Sequence, residues 1–163
     1  MFRSGSCSST RASLLWRKRR DFRVIATSEP ASPPSEFIEF VGWQSQERLP
    51  EVYAECDVCV VPTIVQDGLS RTSVEAMAAG RPVVASRIGG LPFTVSDGET
   101  GLLCEPGNPA DFAKKIQSLL DDPARRVAMG RAGRSRFEEA FTWDRVIPKQ
   151  YVPLLGAPIK ADT

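Results

Sequence analysis

The chain has 163 residues, 42% hydrophobic and 25% charged, an ordinary balance for one globular domain of ~100–200 residues. Lys and Arg number 21 against 20 Asp and Glu, so a net charge of +1 offers no basic footprint for nucleic acid. Histidine is absent, which excludes Ser-His-Asp triads, Cys-His pairs, HExxH zinc sites and imidazole general bases.

In chain order, residues 1–10 are Ser-rich without apolar periodicity, and a basic helix is predicted over 11–20, with Leu14, Leu15 and Trp16 on its buried side. The first 20 residues carry six basic and no acidic side chains, a pattern common to organellar transit peptides and to surface helices with a basic face. A strand follows at 22–27, then a Pro/Ser-rich loop and a second strand at 37–42. Residues 46–55 fit a helix with Leu49, Val52 and Tyr53 inward, Pro50 lying in the first turn where proline is tolerated. The apolar run at 58–61 reads as a strand covered on both faces. A polar loop over 62–70 leads to a helix at 71–79, stopped by Gly80. Next come a buried strand at 82–86, a Gly89-Gly90 loop with a helical turn near 91–95, and a short strand at 101–104. Helices over 109–120 and 123–140 each begin with proline. The segment from 142 to 155 has helical periodicity broken by Pro148 and Pro153, and Trp143 is expected in the core because a large aromatic buries much area.

Alternation of strands and helices predicts an α/β fold, a Rossmann-like parallel sheet with helices on both faces. The expected organisation is an N-terminal segment at 1–20, one domain over 21–155 and a tail at 156–163. Cys7, Cys56, Cys59 and Cys104 are read as reduced thiols. Cys56 and Cys59 form a C-x-x-C, yet no second such pair or histidine completes a zinc site, and the pair opens a strand instead of a helix. No apolar stretch approaches the ~20 residues of a membrane span. A soluble, cytoplasmic chain is expected, with a peripheral membrane location and organellar targeting as alternatives.

Ligands of such sheets bind beyond the carboxyl ends of the strands, which directs attention to the loop after Val61. Asp67-Gly68 can turn tightly and leave the amides of Leu69, Ser70 and Arg71 near the start of the next helix, a setting for an anionic or hydroxyl-rich ligand. Asp67 and Glu75 are eight positions apart. A carboxylate accepts two hydrogen bonds at once, so it suits the vicinal hydroxyls of a sugar or ribose. Plainer readings stand beside these. Thr72-Ser73-Val74-Glu75 satisfies a capping box, in which Glu75 only bonds the helix start. Asp67 can be a turn residue before glycine, and Gly89-Gly90 can be turn backbone with no ligand.

At these residues the chain resembles the C-terminal, donor-binding domain of the family-4 glycosyltransferases of GT-B fold. Their pattern is Glu, seven residues, Glu, then A-M-A-x-G-x-P-V-V-A-S. Here it is Asp67, seven residues, Glu75, then Ala76-Met77-Ala78-Ala79-Gly80-Arg81-Pro82-Val83-Val84-Ala85-Ser86. The likeness extends upstream through Phe40-Val41-Gly42, Leu49-Pro50-Glu51-Val52-Tyr53 and the stretch from Cys56 to Thr63. Downstream it takes in Gly89-Gly90-Leu91-Pro92, Asp97-Gly98-Glu99-Thr100-Gly101 and Phe141-Thr142-Trp143, so that it covers roughly residues 20–155.

The resemblance implies one half of a GT-B architecture and a retaining transfer from a nucleotide-diphosphate sugar, with no metal and no further cofactor. It implies that Glu75 holds the ribose and Asp67 acts on the transferred sugar. It implies further that the amides of Gly68, Leu69 and Ser70, beside that of Arg71, meet sugar and diphosphate, and that Gly89 and Gly90 line the same pocket. The family's Gly-Arg…Lys-Gly segment and its N-terminal acceptor domain have no counterpart here, Asp67 replaces a Glu, and Phe93 stands where Glu is common. The expectation is therefore a domain that is inactive alone and works with a separate chain supplying the acceptor half. The alternative is a non-catalytic module that binds at most nucleotide sugar or a protein partner. A dinucleotide binder is disfavoured because no G-x-G-x-x-G follows a first strand.

Overall fold

A computed structural model describes residues 24–26, 38–66 and 68–155. The expected helix at 11–20, the loop at 28–36, Asp67 and the tail at 156–163 lie outside the described residues. Strands β1 (Val24–Ala26) and β2 (Ile38–Phe40) pair in parallel, Val24 opposite Ile38. Helix α1 (Leu49–Glu55) follows, then β3 (Cys59–Val61), α2 (Arg71–Ala78), β4 (Val83–Ser86), the short α3 (Leu91–Thr94) and β5 (Gly101–Cys104). Strands β3, β4 and β5 form a second parallel unit in that order, Cys59 opposite Val83 and Val83 opposite Gly101. Long helices α4 (Pro109–Leu120) and α5 (Pro123–Ala140) come next, and α6 (Trp143–Val146) and α7 (Val152–Leu155) close the described chain.

Strand β4 explains why the sheet needs cover on both sides. All four of its residues are buried, and successive side chains point to opposite faces. Val83 and Ala85 join Cys59, Met77, Leu91 and Leu103 in one core. Val84 joins Leu102, Cys104, Phe112, Leu119 and Met129 in the other. Helices α2 and α3 thus cover one face and α4 the other, while α5 reaches both through Phe137 and Met129.

Local chemistry sets the helix ends. Asn108 and Asp122 accept from the Asp111 and Arg125 amides, each ahead of a proline pre-set for the first turn. Helix α2 ends in a Schellman arrangement: Gly80, at φ +67°, donates to the Met77 carbonyl, and Arg81 to that of Ala76. The Gly80 carbonyl then lies where a side chain on Gly130 would be, so only glycine lets α5 approach the turn between α2 and β4 this closely. The 97–101 turn is tied by Asp97, which accepts from the Leu103 amide at 2.9 Å and pairs with Arg87.

Three expectations change. Helix α1 begins at Leu49, not at residue 46, because 46–48 form a turn. Trp143 is 71% exposed and is not part of the core. The C-terminal segment is not interrupted at its prolines: α6 passes through a π-helical turn (Ile147–Tyr151) into α7. Widening the turn is a known way for a helix to accommodate a local disruption such as Pro148, which lacks a donor.

Candidate functional site

The carboxyl ends of β3 and β4 carry two glycine loops that meet. Gly89 sits at φ +57°, which favours glycine. Gly90 needs glycine for a different reason: a Cβ there would collide with the Gly68 carbonyl and come within 3.2 Å of the Leu69 nitrogen. The two loops enclose a cleft of about 170 Å³, lined by Val61, Thr63, Gly68, Ser70, Thr72 and Gly90, with Ile88 and Leu91. Its floor is the start of α2.

That helix start is built by Ser70. Its hydroxyl accepts from the Ser73 amide at 3.4 Å, and its carbonyl accepts from the Val74 amide and from the Ser73 hydroxyl. The Arg71 and Thr72 amides are left without an intrahelical acceptor, facing the region where an anion is favoured. Ser73, fully buried, also lies 3.0 Å from the Thr94 hydroxyl, which contacts the Leu91 carbonyl. A buried hydroxyl pair therefore couples the start of α2 to the turn that carries Gly90. Arg136 fixes that turn from the far side, donating to the Phe93 and Thr94 carbonyls at 2.7 and 2.9 Å. Phe93 packs edge-on against Phe141 with ring centres 6.2 Å apart.

With the helix capped at Ser70, Thr72 lies inside the first turn and the Thr72–Glu75 capping box does not form. Glu75 faces α1. One carboxylate oxygen, Oε2, accepts from the Tyr53 hydroxyl at 3.1 Å, and the other is 3.4 Å from an Arg71 guanidinium nitrogen. Its side chain is 32% exposed and lines a groove of about 490 Å³ between α1 and α2, with Leu49, Pro50, Tyr53 and Arg134. Burial, and then the neighbouring Cys59 and Glu75, hold the Tyr53 phenol well above its ordinary value of 10.0, so it stays protonated and donates.

The structure thus gathers Gly68, Ser70 and Gly90 around one cleft, whose lining does not include Leu69 or Gly89, and sets Glu75, paired with Arg71, along the same helix in the next groove. The sequence does not mark Thr63, Thr94 or the hydroxyl of Tyr53 as part of a site, and it offers Thr72 only as a helix cap. Thr72, two positions after Ser70 on the first turn, was the one with a usable signal. Cys59 and Cys104 are buried thiols outside any disulfide, and burial pushes both up to about 12, which makes them poor nucleophiles and metal ligands.

A profile of the family described as glycosyl transferases group 1 matches residues 33–136, well over half of the chain, and the chain belongs to that family. It is 40% identical over 106 residues to the D-inositol 3-phosphate glycosyltransferase of Corynebacterium kroppenstedtii, a match covering 65% of this chain and 23% of that protein. Among solved structures it is similar to the sucrose-phosphate synthase of Thermosynechococcus elongatus, with 33% identity and a TM-score of 0.70 over 96% of this chain and 36% of that one. It is also similar to Anabaena HepE solved with UDP and glucose, with 25% identity and a TM-score of 0.69 over 76% of this chain and 33% of that one. The fold is the Rossmann-like half of a GT-B glycosyltransferase, as the motifs implied. The chain spans about a quarter of the length of the curated relatives it matches. Among the described residues no helix is long and apolar enough to cross a membrane.

Proposed function

We propose that this chain is the donor-binding domain of a retaining glycosyltransferase that uses a nucleotide-diphosphate sugar. One observation carries the reading: the Gly68 and Gly90 loops meet over the start of α2, while Glu75 presents a half-exposed carboxylate from that same helix. The amides of residues 68–71 and the positive end of the helix suit the sugar and diphosphate oxygens. Glu75 suits the ribose, since each carboxylate oxygen has one partner and room for another. In this reading Asp67 acts on the transferred sugar.

Transfer also needs an acceptor held against the donor with water excluded, and this chain forms one wall of such a cleft. The acceptor wall comes from sequence beyond these residues, on the same polypeptide or on a separate chain. We place the protein in the cytoplasm, where the buried thiols stay reduced. The experiment is a titration of wild type and Glu75→Gln with UDP, ADP and GDP. An amide cannot offer equivalent acceptors to two hydroxyls, and hydrogen bonds to charged groups are worth roughly 1.5–3 kcal/mol, so affinity is expected to fall about tenfold or more. Unchanged affinity would contradict the role of Glu75.

A further inference from the structure

Helix α1 contributes nothing to the small cleft, yet it sends one polar group across to α2. The ring of Tyr53 packs against the core formed by Cys59, Met77 and Val83. Its hydroxyl emerges at the edge of that core and meets Glu75 Oε2 at 3.1 Å, across 22 positions of sequence. An anchored ring with a single polar tip has little freedom, whereas an unrestrained Glu samples several rotamers. Arg71, on the other oxygen, is itself highly exposed and 3.4 Å away, a looser restraint.

We propose that Tyr53 is the positioning residue for Glu75: its hydroxyl clamps one carboxylate oxygen so that the remaining lone pairs face the vicinal ribose hydroxyls of a nucleoside diphosphate. The proposal rests on the reading of Glu75 as the ribose acceptor and extends it to a residue that does not touch the ligand. A carboxylate offers about four acceptor sites. Tyr53 and Arg71 occupy one on each oxygen, which leaves one on each for a pair of hydroxyls. Without Tyr53 the carboxylate can still accept, but it must be ordered when the ligand arrives, and that entropy is subtracted from affinity.

The test titrates the 163-residue chain with UDP, ADP and GDP, and then compares the tightest of these with its 2′-deoxy counterpart. Wild type, Tyr53→Phe, Glu75→Gln and the double variant are measured together, with thermal melting of each. Tyr53→Phe keeps the ring in the core and removes only the hydroxyl. The expected result is a loss of about three- to tenfold for the ribonucleotide, the range for one hydrogen bond's influence. Preference for ribo- over deoxyribonucleotide shrinks in Tyr53→Phe, and the hydroxyl deletion has no further effect in the Glu75→Gln background. If Tyr53→Phe keeps the wild-type preference while Glu75→Gln loses it, the positioning role is overturned and the ribose reading survives. If Glu75→Gln binds like wild type, or none of the three nucleotides binds wild type, the ribose reading falls and takes the proposal with it. Equal weakening of both nucleotides together with a lower Tm would make Tyr53 a packing residue only, and would also overturn it.

Discussion

The two ends of strand β4 are built on opposite terms. Before its amino end, the Gly80 carbonyl abuts Gly130 of α5, a Cβ on Gly133 would come within 3.3 Å of the Met77 side chain, and no larger residue fits at Gly130. At its carboxyl end, glycines again bring backbone to backbone, but there they frame an open cleft lined by Thr63, Ser70 and Thr72. Close glycine packing in one place excludes everything and in the other leaves room for a ligand. Glycine alone therefore does not mark a site; what lies beside it does. Beside Gly130 there are only the Gly80 carbonyl and the Pro82 ring, whereas beside Gly68 and Gly90 there are a helix start and a carboxylate.

Substitutions at the two ends should separate them. Gly130→Ala forces a methyl group onto the Gly80 carbonyl, and overpacking against backbone is expected to cost about 2 kcal/mol even after the ~1 kcal/mol helix-propensity gain of alanine. Thermal melting should show Tm lower by roughly 4–8 °C in a chain of this size. Gly68→Ala, whose Cβ would meet open space, should leave Tm unchanged while altering nucleotide affinity. Equal losses of stability at both positions would erase the distinction.

Alkaline pH probes the closed core shared by both ends. Cys59 and Cys104 have folded-state values raised from the ordinary 9.0 to about 12 by burial, so the folded state holds those protons longer than the unfolded chain does. Their contribution is complete below pH 9 and is lost as pH rises toward 12, because the unfolded state is then favoured by ionisation. Melting curves between those limits should shift steadily downward, and replacing both cysteines with alanine should flatten the slope. The opposite shift operates in acid: Asp97 is drawn up by burial but held below its ordinary 3.8 by the Leu103 amide and Arg87. Stability from this group is present above that value and fades as pH falls below it.

Ser73→Ala removes the hydroxyl that links the start of α2 to the Gly90 turn. Loss of one or two buried hydrogen bonds should cost about 1 kcal/mol of stability. The sharper readout is nucleotide affinity, which should weaken if the relative placement of the two loops matters. The smallest effect expected is that of salt. Among the described residues, Arg71 and Arg87 near the carboxyl ends are already paired with Glu75 and Asp97. Few charges then remain to be screened, so nucleotide affinity should change little with ionic strength. A steep dependence would mean that one of these arginines leaves its partner for phosphate.

Much of this was legible in the sequence because it is written in short-range chemistry. Proline preceded by Asn108 or Asp122, Gly80 after a helix and the apolar run of β4 each dictate local structure within a few residues. The long-range consequences were not legible. Helical spacing turns Tyr53 inward, but nothing 22 positions away announces that its hydroxyl meets Glu75. The capping box over residues 72–75 satisfied a local rule and lost to Ser70, which makes an equivalent cap two residues earlier. Trp143 failed for a similar reason: size favours burial on average, but α6 turns that face outward, and average burial says nothing about which face a four-residue helix presents.

The central claim is that the glycine-framed carboxyl end, with Glu75, is where a nucleotide sits. Backbone amide shifts of the isotope-labelled chain, followed while UDP, ADP or GDP is added, test it most directly. Perturbations are expected to concentrate at residues 68–72, Glu75, Gly89 and Gly90, while α4 on the opposite face stays silent. Shifts confined to α4, or a carboxyl end that does not respond to any of the three, would contradict it.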